Sequence, residues 1–346
     1  MKKFIYLFTS AFCLTAIFST AHAQGQGTNF SMYQYAPTLN NAAMLGSSDE
    51  LIVKYGYRNQ QLPNGQAFNT NMLTVGCPIY FGANKHSRLT LGGSVMLDNQ
   101  TKFFKTTGVI LNASYTVRLN ERNYLGAGFQ TGFAQRGVKL NGTTENQYNP
   151  LTGNFDASQG LNEQIDGQTK GFGSLDAGLY WTMRDAMGDD KIFAGISAHG
   201  FNSPNVSLVG DAKDKLATRI VTIAGITVYH KNHISIIPNL RLMNQAGNTN
   251  LNIGTWVRYG IGSIHPETKR KHGNIGVGLW YNIDGALVTS LELNQPKYFV
   301  SVAYNASLNN DISTIQGAGI VEFCVGFKIR KKDKVIIQET GTEPQP

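Results

Sequence analysis

The feature that most constrains this chain is a period of two. Between Gly108 and Gln135 the sequence reads GVILNASYTVRLNERNYLGAGFQTGFAQ, with apolar residues at alternate positions on both sides of a short polar turn. Val109, Leu111, Ala113, Tyr115, Val117 and Leu119 share one face of an extended strand, and Asn112, Ser114, Thr116 and Arg118 share the other. After NER, the positions Leu125, Ala127, Phe129, Thr131 and Phe133 resume the greasy face, against Gly126, Gly128, Gln130 and Gly132. A hairpin with an oily outside and a small, polar inside suits a wall between lipid and a wet or plugged lumen.

The same pattern recurs downstream. GFGSLDAGLYWTM sets Leu175, Ala177, Leu179, Trp181 and Met183 against Ser174, Asp176 and Gly178; LNIGTWVRYGI, NIGVGLWYNI and GIVEFCVGFKIR repeat it, with Arg258 and Glu322 on the non-greasy face. A charge in nearly every strand, always on that face, does not fit the dry interior of a sandwich. Segments of this kind begin near Leu51, Met72, Leu89, Val109, Leu125, Phe172, Ile192, Ile220, Ile234, Leu251, Ile275, Leu287, Tyr298 and Ile320. They predict an all-β chain, a transmembrane outer-membrane β-barrel of about fourteen antiparallel strands, an even number that returns the C-terminus to the side of the N-terminus. Beyond residue 23 no run approaches the ~20 apolar residues of a membrane helix, so any spanning must be by a closed barrel.

Connection lengths agree with that parity. The long RGVKLNGTTENQYNPLTGNFDASQGLNEQIDGQTK and the medium NSPNVSLVGDAKDKLAT fall on one side, and the short NER, HKN and QPK on the other. Long loops outside and short periplasmic turns are the expected asymmetry. SIHPETKRKHG is longer than a periplasmic turn should be.

Composition fixes the surroundings. Only 15% of residues are charged, against about 25% in soluble proteins. MKKFIYLFTSAFCLTAIFSTAHA, with Lys2 and Lys3, an apolar run and Ala21 and Ala23 before Gln24, reads as a cleaved secretory signal over residues 1–23. Residues 24–50 are aromatic without strand alternation and are expected to plug or cap the periplasmic mouth; 51–330 form the barrel, and 331–346 a flexible periplasmic tail. Both termini are then periplasmic, in the cell outer membrane. Cys77 and Cys324 sit in strand-like runs, and the sequence leaves open whether they are bonded. The net charge of +8 is scattered and clusters only at KIRKKDK, so it points to no nucleic-acid partner.

The head of the mature chain resembles the PorP/SprF family, outer-membrane components of the type IX secretion system and gliding machinery of Bacteroidetes. That family opens with a pattern like Q-F-S-Q-Y-x-x-N-P, then N-P-A-x-x-G, then Y-R-N-Q-W. Here Phe30, Ser31 and Tyr33 answer the first part, with Tyr35 beside them; Ala36-Pro37 replaces Asn-Pro, Asn40-Asn41-Ala42 replaces Asn-Pro-Ala, and Gly46 fits. Tyr57, Arg58, Asn59 and Gln60 match outright, while Gln61 stands in the place of Trp. The resemblance implies a barrel that pairs with a secreted cargo, often a large adhesin bearing a type B C-terminal signal, and with translocon or periplasmic ring components. It implies these motif residues as the cargo or partner site.

No catalytic, cofactor or metal pattern competes with that reading. His230 and His233 flank a tight turn without a Cys or carboxylate cluster. Ser174 lacks the glycine spacing of a nucleophile elbow. GAGFQTG is followed by no helix, so its glycines read as room for a lumen group or a bend. Arg118, Asp176, Arg258 and Glu322 read as lumen polar residues that pair with one another or with water. Trp181 fits a lipid-facing girdle, whereas Trp256 and Trp280 share parity with polar residues and are candidates to touch a plug. The alternatives to a cargo-binding barrel are a passive pore or FadL-like transporter of hydrophobic compounds and, third, an outer-membrane hydrolase.

Overall fold

The computed structural model describes residues 29–61, 67–81, 87–99, 104–138, 148–149, 153–156, 168–185, 190–208, 214–231, 233–264, 271–308 and 319–329. The expected signal, the tail at 331–346, His86 and His265 lie outside them.

Fourteen strands form the wall: β1 Leu51–Gln61, β2 Ala67–Phe81, β3 Ser87–Asn99, β4 Phe104–Arg118, β5 Asn123–Val138, β6 Thr169–Arg184, β7 Asp190–His199, β8 Arg219–Ile226, β9 Ile234–Gln245, β10 Asn248–Ile264, β11 Lys271–Asn282, β12 Ala286–Asn294, β13 Tyr298–Ser307 and β14 Ile320–Ile329. Each pairs antiparallel with its chain neighbours, and the sheet closes where Leu51 to Gln60 of β1 pair with Ile329 to Ile320 of β14. Closure leaves no strand edge to be satisfied in hydrocarbon. The chain is a closed outer-membrane-type β-barrel. β8 pauses at Thr227 and Val228, then resumes over Tyr229–Lys231, still paired with β9.

The strand count read from the sequence holds, but many strands begin earlier than the alternation places them. Ala67 to Asn71 pair in register with their neighbours although little alternation marks them, and so do Phe104 to Gly108. Hydrogen-bonded pairing continues beyond the apolar band, which hydrophobicity alone cannot register. For the same reason the long-looking SIHPETKRKHG is partly wall: β10 runs to Ile264, β11 starts at Lys271, and the two pair there across an irregular step after Ile261. The β9–β10 hairpin is a two-residue turn with Ala246 at φ 51° and Gly247 at φ 80°. Two left-handed residues give the turn whose twist matches the strands.

The two faces separate as the alternation demands. Leu111, Phe129, Phe133, Leu179, Ile253, Val277, Leu291 and Phe327 are exposed on the outside, while Asn112, Gln130, Asp176, Asn252, Ser290 and Glu322 are buried on the inside. Cys77 is exposed and Cys324 buried, and both are free thiols.

Candidate functional site

Inside the barrel lies the N-terminal segment. It makes a 3-10 turn at Tyr33–Tyr35, a single helical turn, α1, at Pro37–Asn40, and a second 3-10 turn at Met44–Ser47 before entering β1. Pro37 opens the helical turn, where a missing N–H costs nothing. Local bonds satisfy part of the segment's backbone, and further polar groups are left for the wall. The expectation from the sequence is a segment that plugs or caps the periplasmic mouth; its described residues, from Asn29 on, meet inward-facing side chains of the wall within the lumen.

The wall answers with side chains. Glu322 is fully buried, and its carboxylate accepts Ser31 N–H at 2.8 Å and Met32 N–H at 3.1 Å, with Arg58 Nε 3.7 Å away. Arg241 donates through Nη1 to the Phe30 carbonyl at 2.8 Å, to Asn29 Oδ1 at 2.6 Å and to Asn40 Oδ1 at 3.3 Å, and sits over the Tyr33 ring. Gln130 donates to the Thr38 carbonyl at 2.8 Å, Ser197 to that of Asn40 at 2.6 Å, and Asn112 to that of Ala42 at 2.7 Å. Arg88 gives Nε and Nη2 to the Gly46 carbonyl at 2.9 and 2.7 Å and pairs with Asp49, which Arg184 also holds at 2.5 Å. Charge-assisted bonds of this kind are about twice as strong as neutral ones.

The segment also reaches into the wall. Asn41 Nδ2 donates to the carbonyls of Leu179 and Ile196 at 3.0 and 3.1 Å. It gets that close because Gly178 and Gly195 carry no side chain; a Cβ on either would lie 2.4 or 2.8 Å from the Asn41 amide. Gly128, in GAGFQTG, admits the Ala42 backbone, whose carbonyl carbon and oxygen would be 2.3 Å from an added Cβ. That stretch lies wholly in β5 and makes room for backbone, a closer approach than the lumen side chain read from the sequence.

Three apolar clusters complete the seat. Met32 packs with Trp256, Trp280, Phe299 and Cys324; Tyr33 and Ala43 with Tyr180, Val221, Ile223 and Met243; Phe30, Ala36 and Leu39 with Met72. Trp256 and Trp280 meet edge to face at 5.0 Å, and Trp280 Nε1 donates to Asn239 Oδ1, which also accepts the Tyr33 hydroxyl at 2.8 Å. Burial pushes the Tyr33 hydroxyl well above its ordinary pKa, against the pull of Arg241, so it stays a neutral donor. Tyr35 stacks on Phe299 and hydrogen-bonds Glu292, itself 3.2 Å from Arg258.

The structure therefore brings together most of the residues singled out from sequence. Phe30, Tyr33, Tyr35, Pro37, Asn40, Asn41 and Gly46 form the plug, and Arg58, Asp176, Arg258 and Glu322 belong to the network around it. Tyr57 and Asn59 face outward with Asn69 as their shared partner, and Gln60 accepts Arg58 Nη2 at 3.0 Å. Arg118 is exposed at the end of β4, donating to the carbonyls of Asn120 and Glu121; it has the inward parity but lies beyond the plug, at the rim. The sequence places Asn112 and Gln130 on the inward face without giving them a role, and it does not single out Arg88, Ser197 or Arg241. Each has inward parity, but its partner lies 42 to 211 residues away.

Asp176, His199 and Ser197 stand in a line, with His199 Nδ1 3.3 Å from Asp176 and its Nε2 3.0 Å from Ser197 Oγ. All three are buried, and the Ser197 hydroxyl is directed at the Asn40 carbonyl, so this order of groups serves the plug. Among the described residues no cluster of His, Cys, Asp or Glu has the makings of a metal site.

Space remains at both ends. A cavity of about 330 Å3 bordered by His230, His233, Asp190 and Arg258 opens at the end where β1 starts and β14 finishes, and one of about 170 Å3 lies above Thr38 and Leu39 at the opposite end.

The family model described as type IX secretion system membrane protein PorP/SprF matches residues 22–327. No curated protein matches the sequence. Among solved structures, the Pseudomonas putida toluene transporter TodX aligns at 10% identity and TM-score 0.49, over 90% of this chain and 100% of its own. A Pseudomonas aeruginosa FadL homologue aligns at 11% and 0.41 (83% and 91%), and the translocator domain of autotransporter NalP from Neisseria meningitidis at 11% and 0.40 (82% and 89%). Likeness at this level carries no activity across.

Proposed function

Because the chain belongs to the PorP/SprF family of type IX secretion system membrane proteins, we propose that it acts in the outer membrane by binding a secreted cargo bearing a type IX C-terminal signal and supporting its secretion or surface attachment. The observation that favours binding over passive conduction is the filled lumen: buried carbonyls of residues 30 to 46 are taken by wall side chains at 2.6 to 3.1 Å. A freely open pore would leave its lumen to water, whereas a docking platform needs a rigid seat. In this reading both termini are periplasmic, secretion machinery meets the short turns and the tail, and cargo meets the opposite mouth. The motif residues then act by holding the plug, and so the shape of that mouth, since Phe30, Tyr33, Asn40 and Asn41 are buried.

Pull-down of the tagged full-length protein from native membranes tests this. A secreted chain with a type IX signal should co-purify, and should be lost when Phe30 to Tyr35 is deleted while the barrel still folds. Recovery of secretion machinery without any such chain rejects the cargo role, and undiminished recovery after the deletion rejects the role of the plug.

A further inference from the structure

The cavity above α1 has an uneven chemistry. Leu39 forms its floor, Met96 and Leu216 line its sides, and Arg136 and Arg219 border it. The Nε of each arginine is buried without a hydrogen-bond partner, and neither forms a salt bridge with a carboxylate among the described residues. Arg219 spends only Nη2, on the Leu39 carbonyl at 3.1 Å. Lys170 stands directly across from Arg136 in the β5–β6 pairing, on the same face of the wall.

The acids that border the same space are already engaged. Asp176 accepts Gln130 Nε2 and Gly200 N–H, both at 2.6 Å, and Asp98 accepts the Thr70 hydroxyl at 2.7 Å. What the cavity offers an incoming group is thus guanidinium donors beside an apolar floor. Donors left unspent on the protein are open to an incoming acceptor.

We propose that this cavity binds a carboxylate carried on a short apolar stem. The carboxylate takes the guanidinium donors in charge-assisted bonds, and the stem lies on Leu39, Met96 and Leu216. Asp98 and Asp176 offset part of the positive charge, but their oxygens are engaged while the guanidinium donors are open, and a neutral apolar guest would leave those donors unmet. A free alkanoate and the C-terminus of a peptide both present this chemistry. Binding requires neither cargo nor translocation, so the proposal stands apart from the reading above.

The test uses the full-length protein in lipid nanodiscs and hexanoate labelled with 13C at the carboxyl. Its resonance should broaden with added protein and recover with excess unlabelled hexanoate, but not with hexanamide. R136Q, which removes no hydrogen bond to the plug among the described residues, should weaken binding about tenfold or more, the loss of a bond to a charged group; adding R219Q should abolish it, with heat-modifiable migration confirming the fold of each variant. Equal binding by wild type and R136Q, or competition by hexanamide, overturns the proposal, as does the absence of broadening. A second arm adds an apolar hexapeptide with a free or an amidated C-terminus. Displacement by the free acid alone identifies peptide termini as ligands, failure of both identifies free alkanoates, and displacement by both forms contradicts a carboxylate site.

Discussion

The two faces of the same wall are built from adjacent residues yet answer to different partners. Phe129 is 49% exposed and meets the surroundings of the barrel, while the next residue, Gln130, is 1% exposed and holds the carbonyl of Thr38. The outer face needs only to be oily, so many side chains serve at each position. The inner face has to match one particular piece of chain, atom by atom, and tolerates far less.

That contrast orders the expected effects of substitution. Glu322→Ala should cost most, about 3–5 kcal/mol, because it removes the buried carboxylate nearest Arg58 and leaves two plug N–H groups unmet in the interior. Urea unfolding in lipid vesicles followed by tryptophan fluorescence measures this; a midpoint within error of wild type would mean that Glu322 is not the plug's anchor. Phe129→Arg, near the middle of the outer apolar band, should cost about 2–4 kcal/mol in the same assay without loosening the plug. An unchanged midpoint would argue that this face does not meet lipid. Gly128→Ala should cost about 1–3 kcal/mol by forcing the Ala42 backbone away, and should raise ion leak through an otherwise intact barrel. Gly173→Ala, on the outside with only the Gly132 carbonyl 3.8 Å from the new methyl, should stay within about 0.5 kcal/mol. Comparable leak from both glycine variants would erase the distinction between the faces.

The outer face was legible because its signal is local. Val109 to Leu119 and Leu125 to Phe133 announce strand, parity and hairpin within one short stretch, and closure follows from the need to satisfy edges in a membrane. The inner face was legible only as a class. Asp176, Arg258 and Glu322 read as lumen polar residues, yet nothing near Glu322 in the chain reveals that its oxygens accept the N–H groups of Ser31 and Met32, 291 and 290 residues away. The family resemblance drew attention to Phe30, Tyr33, Asn40 and Asn41, but could not separate residues that touch a partner from residues that seat the plug. Trp256 and Trp280 were an intermediate case: their parity placed them inside, and the plug's Met32 supplied the contact. Arg118 has the right parity and the wrong height, because alternation carries no information about distance along the barrel axis.

Single-channel recording of the purified full-length protein in planar bilayers tests the filled lumen most directly. The wild-type barrel should stay closed, and a variant lacking residues 29–47 that still folds should conduct steadily. A wild-type protein with a stable open conductance equal to that of the deletion would contradict a lumen occupied by the chain's own N-terminal segment.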